Sequence, residues 1–411
     1  MTTSTNKRDN IQDQLESFDL DAIRARLQES GFDGWLFYFF KNNDPLALSI
    51  LKLTETHMFS RRWFYLVRAE GEPIKLVHSI EADALASLPG ERVIYVGWRD
   101  MEEKLKQILS SGVKKLAMQY SPRNAIPYVS RVDAGTVELV RDTGVEVCSS
   151  HDLVQHFEAT WNRVQLESHI YATDKLRSIV NDAFAEVKRR LTAGEATTEY
   201  DIQRFILDKF EKYKLTTYSP PIVAINENSG NPHYQPTETV HKPIEKGDFL
   251  LIDLWAKRSD MKGSVYGDIT WTGFVGDKVP EKYTEIFEIV RDARDAALDY
   301  VKEAIAQGRQ IFGWQVDDVA RDFIASRGYG KYFVHRTGHS IGEEVHGNGA
   351  NIDNLETRDE RALLPNTGFS IEPGIYLPEF GVRSEIDVYI DDSSVTVAGQ
   401  PIQESIVPIL R

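Results

Sequence analysis

Four acidic residues in the C-terminal half of the chain lie inside short apolar stretches, where acids are unusual. Asp253 lies within residues 249–255, and Asp268, Glu372 and Glu385 have similar surroundings. Burying a carboxylate costs on the order of several kcal/mol unless an ion pair or a metal ion compensates the charge. A single acid of this kind is more often an ion-paired or strand-end residue. Four of them, with histidines nearby, indicate a metal site instead.

Three histidines, His335, His339 and His346, lie between the second and third of these acids. The spacing of His335 and His339 alone is a weak indication of a metal site, because a helix places any two residues with this spacing on one face. Gly338 and Gly342 favour a turn or strand here instead. Carboxylates with one histidine form an oxygen-rich site that suits Mn²⁺, Co²⁺, Fe²⁺ or Zn²⁺. So many carboxylates exceed the needs of one ion and fit a pair of ions roughly 3.5–4 Å apart.

In their order along the chain, these residues resemble the ligands of the pita-bread metallopeptidases, the family of methionine aminopeptidase, aminopeptidase P, prolidase and the related creatinase. The resemblance extends clearly over about residues 161–390 and only loosely over the N-terminal part. It implies a pair of divalent metal ions, with Mn²⁺ expected and Co²⁺, Zn²⁺ or Fe²⁺ as alternatives. The implied ligands are Asp253, Asp268, His339 in HRTGHSIG, Glu372 in SIEPGIY and Glu385 in GVRSEID.

The spacing of the first two ligands departs from the family pattern. Asp253 and Asp268 are 15 residues apart, whereas the usual family spacing is shorter by an even number of residues. We interpret the difference as a longer hairpin between two strands. Because strand side chains alternate with a period of two, an even insertion keeps both acids on one face. Asp260 lies in this connection and is a rival ligand, but an exposed hairpin residue is the preferred interpretation.

The resemblance also implies roles for the ligands in hydrolysis of the amide bond before proline. A water activated by both metal ions would be the nucleophile. Asp268 and Glu385 would bridge the ions, while Asp253 would bind mainly one ion and His339 the other. Glu372 would also carry the proton of the water toward the leaving nitrogen.

Further residues match family positions near the substrate. His233 matches a substrate-side histidine, and His335 and His346 match the pair that contacts the substrate or the tetrahedral intermediate. Tyr376 and Arg383 match residues that support the site in aminopeptidase P and prolidase. Each would more often be structural if it stood alone, and an ion pair explains Arg383 equally well. Together, the histidines and Arg383 are expected to act in catalysis, and Tyr376 in substrate binding with His233 and His346.

The preferred substrate depends on one further arginine. Prolidases carry an arginine ahead of the catalytic glutamate that can grip the C-terminal carboxylate of a dipeptide, and Arg358 lies at about that place. Paired hydrogen bonds make such recognition strong and planar, although a solvated surface arginine is nearly as good an explanation. The resemblance therefore favours an Xaa-Pro dipeptidase, with an Xaa-Pro aminopeptidase acting on longer peptides as the alternative. A creatinase-like hydrolase and a non-catalytic pita-bread binding module remain as other interpretations.

Composition restricts the partners and the compartment. The 411 residues carry a formal net charge of −15, which disfavours nucleic acid and anionic membranes as partners. The apolar stretches are strand-length and the first residues lack a secretory signal, so no membrane span is expected. Cys148 is the only cysteine, which fits a reducing, cytoplasmic location. By analogy with the family, we expect a homodimer that acts on peptides with proline at the second position.

The elements that must position these residues form two domains of an α+β protein. Residues 1–158 predict an N-terminal α/β domain, and residues 159–411 predict a domain with an antiparallel sheet covered by helices. Residues 1–10 are polar and are expected to be a disordered tail. The predicted helices are 19–30, 101–109, 161–191, one that opens at the capping box 198–201, 281–306 and 314–326. The predicted strands are 35–40, 63–67, 74–77, 92–96, 115–118, 222–225, 249–254, 268–273, 368–372 and 382–390.

Overall fold

The structure, a computed structural model, describes residues 18–53 and 59–411. The predicted tail at residues 1–10 lies outside the described residues. The chain divides into two units, Met1–Glu158 and Ala159–Arg411. None of the helices in the described part of the chain has the length and apolar character needed to cross a membrane.

The first unit is built on a six-stranded mixed sheet with the strand order β4-β3-β2-β1-β5-β6. Strand β2 is antiparallel to its neighbours β1 and β3, and the other neighbouring pairs are parallel. Its helices and strands are α1 (Leu20–Glu29), β1 (Gly34–Phe39), α2 (Pro45–Ile50), β2 (Trp63–Arg68), β3 (Ile74–His78), β4 (Glu91–Tyr95), α3 (Trp98–Leu109), β5 (Lys115–Met118), α4 (Ala134–Arg141), β6 (Glu146–Ser149) and α5 (His151–Glu158).

Strand β1 is buried along its whole length because apolar groups cover both of its faces. Trp35 and Phe37 pack with residues of α1 and α2 on one face. Leu36 and Tyr38 pack with residues of α3 and α4 on the other face. A continuous apolar run of this kind is typical of a strand covered on both sides.

The second unit contains the longer helices and most of the shorter strands. Its strands are antiparallel to their neighbours except for β10 and β17, which are parallel. Its helices and strands are α6 (Arg163–Thr192), α7 (Glu199–Lys212), β7 (Leu215–Thr216), β8 (Ile222–Ile225), β9 (Phe249–Arg258), β10 (Gly267–Phe274), α8 (Glu281–Ala306), α9 (Gly313–Ser326), β11 (Ser340–Ile341), β12 (Thr367–Ile371), β13 (Gly374–Tyr376), β14 (Gly381–Arg383), β15 (Ile386–Ile390), β16 (Val395–Val397) and β17 (Val407–Pro408).

Capping residues explain where the first two helices of this unit begin. The side chain of Asn162 accepts a hydrogen bond from the Gln165 backbone N–H, and the side chain of Gln165 accepts one from the Asn162 backbone N–H. Thr198 and Asp201 make the same reciprocal pair at the start of α7, as the sequence predicts. These bonds satisfy backbone N–H groups that a helix leaves unpaired at its first turn.

Alternation along β9 separates the two core layers of this unit. Leu250, Ile252 and Leu254 pack with residues of α6 and α7. Phe249 and Leu251 point to the opposite face, where residues of α8 and α9 cover them. The predicted antiparallel sheet covered by helices is therefore confirmed. Asp253 and Trp255 continue the second face because side chains alternate along a strand.

One predicted strand, residues 382–390, is wrong in its continuity. The structure has two strands there, β14 and β15, and they belong to different sheets. The chain breaks at Ser384 and Glu385, where the backbone N–H of Ser384 donates to the carbonyl of Pro373 at 3.4 Å. Glu372 also lies outside a strand, because β12 ends at Ile371. Two of the predicted ligands are therefore at strand ends rather than within strands.

Candidate active site

The β9–β10 ladder brings the two aspartates onto one face of the sheet. Asp253 is directly opposite Thr270 across the ladder, and Asp268 comes two residues before Thr270. Side chains two residues apart on a strand share a face, so Asp253 and Asp268 point the same way, as predicted. Asp260 lies in the exposed connection, where Arg258 pairs with it at 2.9 Å.

His339 and Glu372 approach this pair from the neighbouring sheet. The Nε2 atom of His339 is 3.6 Å from Asp268 Oδ2 and 3.3 Å from Glu372 Oε1. Ser370 supports both residues. Its hydroxyl accepts from the His339 backbone at 3.0 Å and donates to Glu372 Oε1 at 3.1 Å.

Glu385 and Arg383 are joined to the aspartates through Thr270. The Thr270 hydroxyl donates to Glu385 Oε2 at 2.7 Å and accepts from Arg383 Nε at 3.0 Å. Arg383 also forms a buried ion pair with Asp253 and donates to the Tyr376 hydroxyl at 3.0 Å. Arg383 thus supplies one positive charge among several buried acids.

The geometry and the electrostatics of this cluster both fit metal ions. Asp268, His339 and Glu385 each offer a ligand atom, and these atoms lie within 4.8 Å of one another. One buried oxygen of Asp253 and one of Asp268 have no hydrogen-bond partner among the described residues. Burial, and then repulsion from neighbouring acids, raises the pKa of Asp268 well above its usual value. Divalent cations bound by these oxygens and the imidazole would offset that cost.

Glu372 has an electrostatic setting suited to proton transfer. Burial raises the pKa of its carboxyl group to about 7, while the positive charges of Arg383 and Arg336 oppose the shift. A carboxyl group that titrates near neutral pH can both accept and release a proton under ordinary conditions.

His335 uses both ring nitrogens inside the protein. Nε2 lies 2.7 Å from the Tyr376 hydroxyl and Nδ1 lies 2.6 Å from the Arg336 carbonyl. Burial lowers the pKa of His335 to about 3, so the ring is neutral near pH 7. We assign its proton to Nδ1, which donates to the carbonyl, and Nε2 then accepts from Tyr376. Arg383, Tyr376 and His335 therefore form one continuous hydrogen-bonded chain.

The other two histidines lie on the open side of the cluster. The His346 ring centroid is 4.3 Å from that of His339. Desolvation lowers the pKa of His346 to about 4, and the positive charge of Arg336 adds to this shift. His233 is exposed, and a positive charge on its ring would favour the ionised form of Asp253. Both histidines are thus close enough to influence the cluster while keeping contact with solvent.

Arg358 is the predicted site residue with the fewest links to this cluster. Its side chain is 57% exposed, with Glu360 as an ion-pair partner at 3.4 Å. The guanidinium stacks over Trp314, 4.5 Å from the ring centroid. Within residues 18–53 and 59–411, no hydrogen bond or ion pair joins Arg358 to the acids of the cluster. Its substrate-binding role stays a prediction.

Sequence reasoning missed a buried glutamate that organises the loop carrying His233. Glu199 lies at the start of α7 and is fully buried. Its carboxylate accepts from the Tyr234 hydroxyl at 2.6 Å and from the backbone N–H groups of Ile225 and Lys242 at 2.8 Å each. The capping box explains the residues on either side of Glu199, but it gives no role to Glu199 itself. Its partners are too distant in the sequence to be found by pattern.

Sequence reasoning also missed Asp387, which holds the backbone of Asp268 in place. Its Oδ2 accepts from the Asp268 backbone at 2.8 Å and from the Thr173 hydroxyl at 3.3 Å. Asp387 is fully buried within β15, and burial raises its pKa well above the usual value. The available sequence signal was an acid inside an apolar strand, the same signal that identified Asp253.

A family model gives an independent assignment of this region. The model for metallopeptidase family M24 matches residues 172–392, which is more than half of the 411 residues. The chain belongs to metallopeptidase family M24. The matched segment includes every residue of the acid cluster described above. The family implies divalent metal ions, and the cluster is the candidate site for them.

Sequence similarity to relatives within family M24 covers a segment of the chain rather than its full length. The chain is 30% identical to the Xaa-Pro dipeptidase of Pyrococcus furiosus over 274 residues, which cover 62% of this chain and 74% of that protein. Two mycoplasma relatives, 32% and 31% identical, match over 65% and 61% of their own lengths. The chain therefore spans less than two thirds of those two proteins.

Solved structures confirm the predicted pita-bread fold for this M24 member. The dipeptidase PepE from Mycobacterium ulcerans superposes with a TM-score of 0.66 at 21% identity, covering 95% of this chain and 96% of that chain. The prolidase from Pyrococcus horikoshii gives a TM-score of 0.58 at 23% identity, covering 94% and 99%. At these identities the similarity is evidence for the fold alone.

Proposed function

We propose that this chain is a dinuclear metallopeptidase that hydrolyses the bond before proline in Xaa-Pro dipeptides. The observation that carries the proposal is the convergence of Asp268, His339 and Glu385, whose ligand atoms lie within 4.8 Å of one another. Membership of family M24 and similarity to the Xaa-Pro dipeptidase of Pyrococcus furiosus support it. Xaa-Pro aminopeptidase activity on longer peptides is the alternative.

The proposed metal ligands are the two aspartates, the histidine and the two glutamates of the cluster. When bound, a pair of divalent ions would polarise the scissile carbonyl and lower the pKa of the attacking water. Mn²⁺ is the metal we expect. The ligands are Asp253, Asp268, His339, Glu372 and Glu385, and the unpartnered carboxylate oxygens of the first two support their assignment.

Glu372 is the group that we assign to proton transfer. Burial raises the pKa of its carboxyl group to about 7 in the metal-free protein, and bound cations would favour the ionised form. The ionised form accepts a proton from the attacking water, and the protonated form gives it to the leaving nitrogen. The hydrogen bond from Ser370 to Oε1 fixes the orientation of the carboxyl group.

The remaining polar residues bind the substrate or hold the acids in place. We assign His233 and His346 to the substrate, because both lie on the solvent side of the cluster. Arg383 fixes Asp253 through their ion pair. The hydrogen bonds from Arg383 to Tyr376 and from Tyr376 to His335 extend this support. A mispositioned acid would slow the chemical step without abolishing metal binding.

Arg358 is our candidate for recognition of the dipeptide carboxylate. Its guanidinium is exposed and pairs only loosely with Glu360, at 3.4 Å, so it can exchange that partner for a substrate carboxylate. Such a contact favours substrates that end directly after proline. We expect Arg358→Ala to raise KM for Ala-Pro about tenfold, the size of one charge-assisted contact. Hydrolysis of a longer Ala-Pro peptide should not change.

The decisive test combines metal analysis with hydrolysis assays. Protein loaded with Mn²⁺ is assayed with Ala-Pro, an Ala-Pro tripeptide and Ala-Ala, beside Glu372→Gln. We expect Ala-Pro to be cleaved fastest, and Glu372→Gln to reduce this rate by about 10²- to 10⁴-fold. Faster cleavage of the tripeptide would establish the aminopeptidase alternative. Metal-loaded protein that leaves all three peptides intact would overturn the proposal.

Metal content distinguishes two further interpretations from a dinuclear metallopeptidase. A creatinase-like hydrolase uses this fold without metal, and a non-catalytic binding module lacks intact ligands. Elemental analysis that finds about two ions per chain supports a dinuclear peptidase, whereas metal-free active protein would support the creatinase interpretation. We also expect a homodimer in a cytoplasmic location, which sedimentation and cell fractionation measure directly.

A further inference from the structure

A cavity of about 170 Å³ lies within the first unit, on one face of its sheet. Strands β3 and β4 form the floor of this cavity, and the segment that follows β3 covers it. The described residues that line it are Lys75, Val77, Ala82, Leu85, Ala86 and Arg92. Four of them are apolar, two are positively charged, and none is acidic. The acid cluster belongs to the second unit, so the proposed active site does not explain this cavity.

The two cations of the cavity are neighbours in the sheet. Lys75 pairs with Arg92 across the parallel β3–β4 ladder, and like charges paired across two strands repel one another. Burial, and then the positive charge of Arg92, lowers the pKa of Lys75. An anion between the two side chains would oppose both effects, because it favours the charged form of each.

The contacts inside the protein leave both cations short of partners. Lys75 is only 9% exposed, and Nζ donates to the Leu88 carbonyl at 2.7 Å. An ammonium group has three N–H donors, and no other hydrogen bond or ion pair of this side chain occurs within the described residues. The bond to Leu88 secures the covering segment, but a carbonyl does not neutralise a charge. Buried lysines normally have a charged partner.

Arg92 holds the covering segment in place with one of its nitrogens. This nitrogen donates to the Asp83 carboxylate at 2.6 Å and to the Ala82 carbonyl at 3.4 Å. Asp83 itself is 83% exposed at its side chain and is not among the lining residues. The other guanidinium N–H groups have no hydrogen-bond partner within residues 18–53 and 59–411. The cavity therefore combines a covered, apolar wall with donors from two cations.

We propose that this cavity binds a small carboxylate with a compact aliphatic group. The carboxylate accepts from Lys75 and Arg92, and the aliphatic group packs against Val77, Leu85 and the two alanines. An apolar cavity of roughly 150 Å³ holds a molecule the size of benzene, so an acid of about seven non-hydrogen atoms fits. Inorganic phosphate would lose hydration against the apolar lining without recovering it. This inference does not depend on peptidase activity.

The test is calorimetric titration of the Mn²⁺-loaded full chain with 3-methylbutanoate, its neutral amide and inorganic phosphate. We expect the carboxylate to bind with a Kd on the order of 1 mM, an ordinary affinity for so small a ligand. Lys75→Met keeps the length of the side chain without its charge and should weaken binding about tenfold, the effect of one charge-assisted contact. A carboxylate that binds the metal ions contributes equally to both proteins, so the difference between them isolates the cavity.

Two further variants complete the test. Ala86→Leu fills the cavity and keeps both charges, so it should also weaken binding about tenfold or more. Lys114→Met removes an exposed lysine of the same unit, and the affinity should not change. Thermal unfolding shows whether each variant is folded. If Lys75→Met does not fold, Ala86→Leu decides the question.

Several results would overturn the proposed site. Wild-type protein that does not bind 3-methylbutanoate would do so, and so would equal affinity in the wild type and in folded Lys75→Met or Ala86→Leu. Binding of the amide as tightly as the acid would show that the two cations do not select an anion. Tighter binding of phosphate would overturn the proposed ligand class. Peptide hydrolysis is not a readout here, so failure of the proposed function would leave each of these outcomes decisive.

Discussion

The central strands β1 and β9 are both long, apolar and buried, yet they bury different chemistry. Strand β1 of the first unit carries only glycine and apolar or aromatic residues, and packing covers both faces. Strand β9 of the second unit interrupts the same kind of run with Asp253, whose pKa burial raises. The first strand is a source of stability. The second strand holds acids away from water, which costs stability because buried charges lose their hydration.

The two units also differ in the partners of particular buried polar groups. In the first unit, buried Lys75 donates to the carbonyl of Leu88 at 2.7 Å, a partner supplied by the fold itself. In the second unit, one oxygen of Asp253 and one of Asp268 lack any such partner within the described residues. The first unit also has a buried carboxylate oxygen without a partner among the residues that the structure describes, at Asp44, so a single unpaired atom is not enough to identify a site. The convergence of several buried acids with His339 is what distinguishes the second unit.

The largest expected effect is the loss of activity in Asp268→Asn. The substitution removes one proposed metal ligand charge, so we expect kcat/KM for Ala-Pro to fall on the order of 10³-fold or more. In the metal-free protein the same change removes a buried, repelled carboxyl group, so the unfolding temperature should not fall. Kinetics, elemental analysis and thermal unfolding measure these quantities.

Asp260→Asn is the matched control, because Asp260 lies in the exposed connection and pairs with Arg258. It should change neither metal content nor activity. If Asp260→Asn abolished metal binding and Asp268→Asn did not, the two acids would have been assigned the wrong way round.

In contrast to Asp268→Asn, Trp35→Ala in the first unit should reduce the free energy of unfolding. Trp35 is fully buried, stacks on Phe37 with centroids 4.4 Å apart and donates to Gln119 at 3.2 Å. Removing a large buried aromatic ring costs about 3–5 kcal/mol. Chemical denaturation followed by fluorescence measures this loss.

Trp98→Ala tests whether burial is the cause, since Trp98 is 53% exposed. An exposed position should change the free energy of unfolding by less than about 0.5 kcal/mol. Equal losses in the two variants would contradict the view that β1 contributes through packing.

The smallest expected effect is a pH dependence confined to the metal-free protein. Asp268, Glu385 and Glu372 have raised pKa values when folded, about 7 for Glu372. The folded state then binds more protons than the unfolded chain, so stability falls as pH rises through this range. His335 and His346 act in the opposite sense, with pKa values lowered to about 3 and about 4. Their contribution to stability is fully present above about pH 6.5 and is lost below it.

Between pH 6.5 and 8, loss of protons from the acids is the main change in the folded protein, and it outweighs the remaining titration of histidines in the unfolded chain. We expect the unfolding temperature of the metal-free protein to fall by several degrees, about 2–4 °C per kcal/mol. Protein loaded with Mn²⁺ should show no such fall, because bound cations keep the acids ionised. A metal-free protein that is more stable at pH 8 than at pH 6.5 would contradict this account.

The sequence predicts the start of helix α7 from its capping box, and it predicts the bounds of helix α8, Glu281–Ala306, from apolar spacing without a side-chain cap. Helices α2 and α4 were not predicted, although Asp44 and Asp133 cap them. The ligand candidates were predicted because a strand normally excludes acids.

The break at Ser384 and Glu385 was not predictable, because residues 382–390 alternate like one strand. What separates β14 from β15 is a set of contacts with Thr270 and Pro373, which are far away in the sequence.

Asp387 was missed for the same reason, because its partner Thr173 lies 214 positions earlier. Arg383 was predicted as a site residue, but its ion pair with Asp253, 130 positions earlier, was not. The sequence pattern identifies Arg383 only through family resemblance, and it gives no sign that Thr270 joins Glu385 to Arg383. Single-sequence patterns report periodicity along the chain, whereas these bonds are a property of the folded arrangement.

The β9–β10 ladder separates the length of the intervening loop from the location of the two aspartates. Because the pairing of Asp268 with Trp255 is fixed by continuous cross-strand bonds, residues added between the strand ends enlarge only the tip. Doubling the length of such a tip costs only about 0.6 kcal/mol of closure entropy. Because the ladder and not the loop sets the face of each aspartate, the tip can accept odd as well as even insertions, such as an epitope or a fluorophore tag, without displacing the proposed metal ligands. The even length expected from strand periodicity is therefore not required.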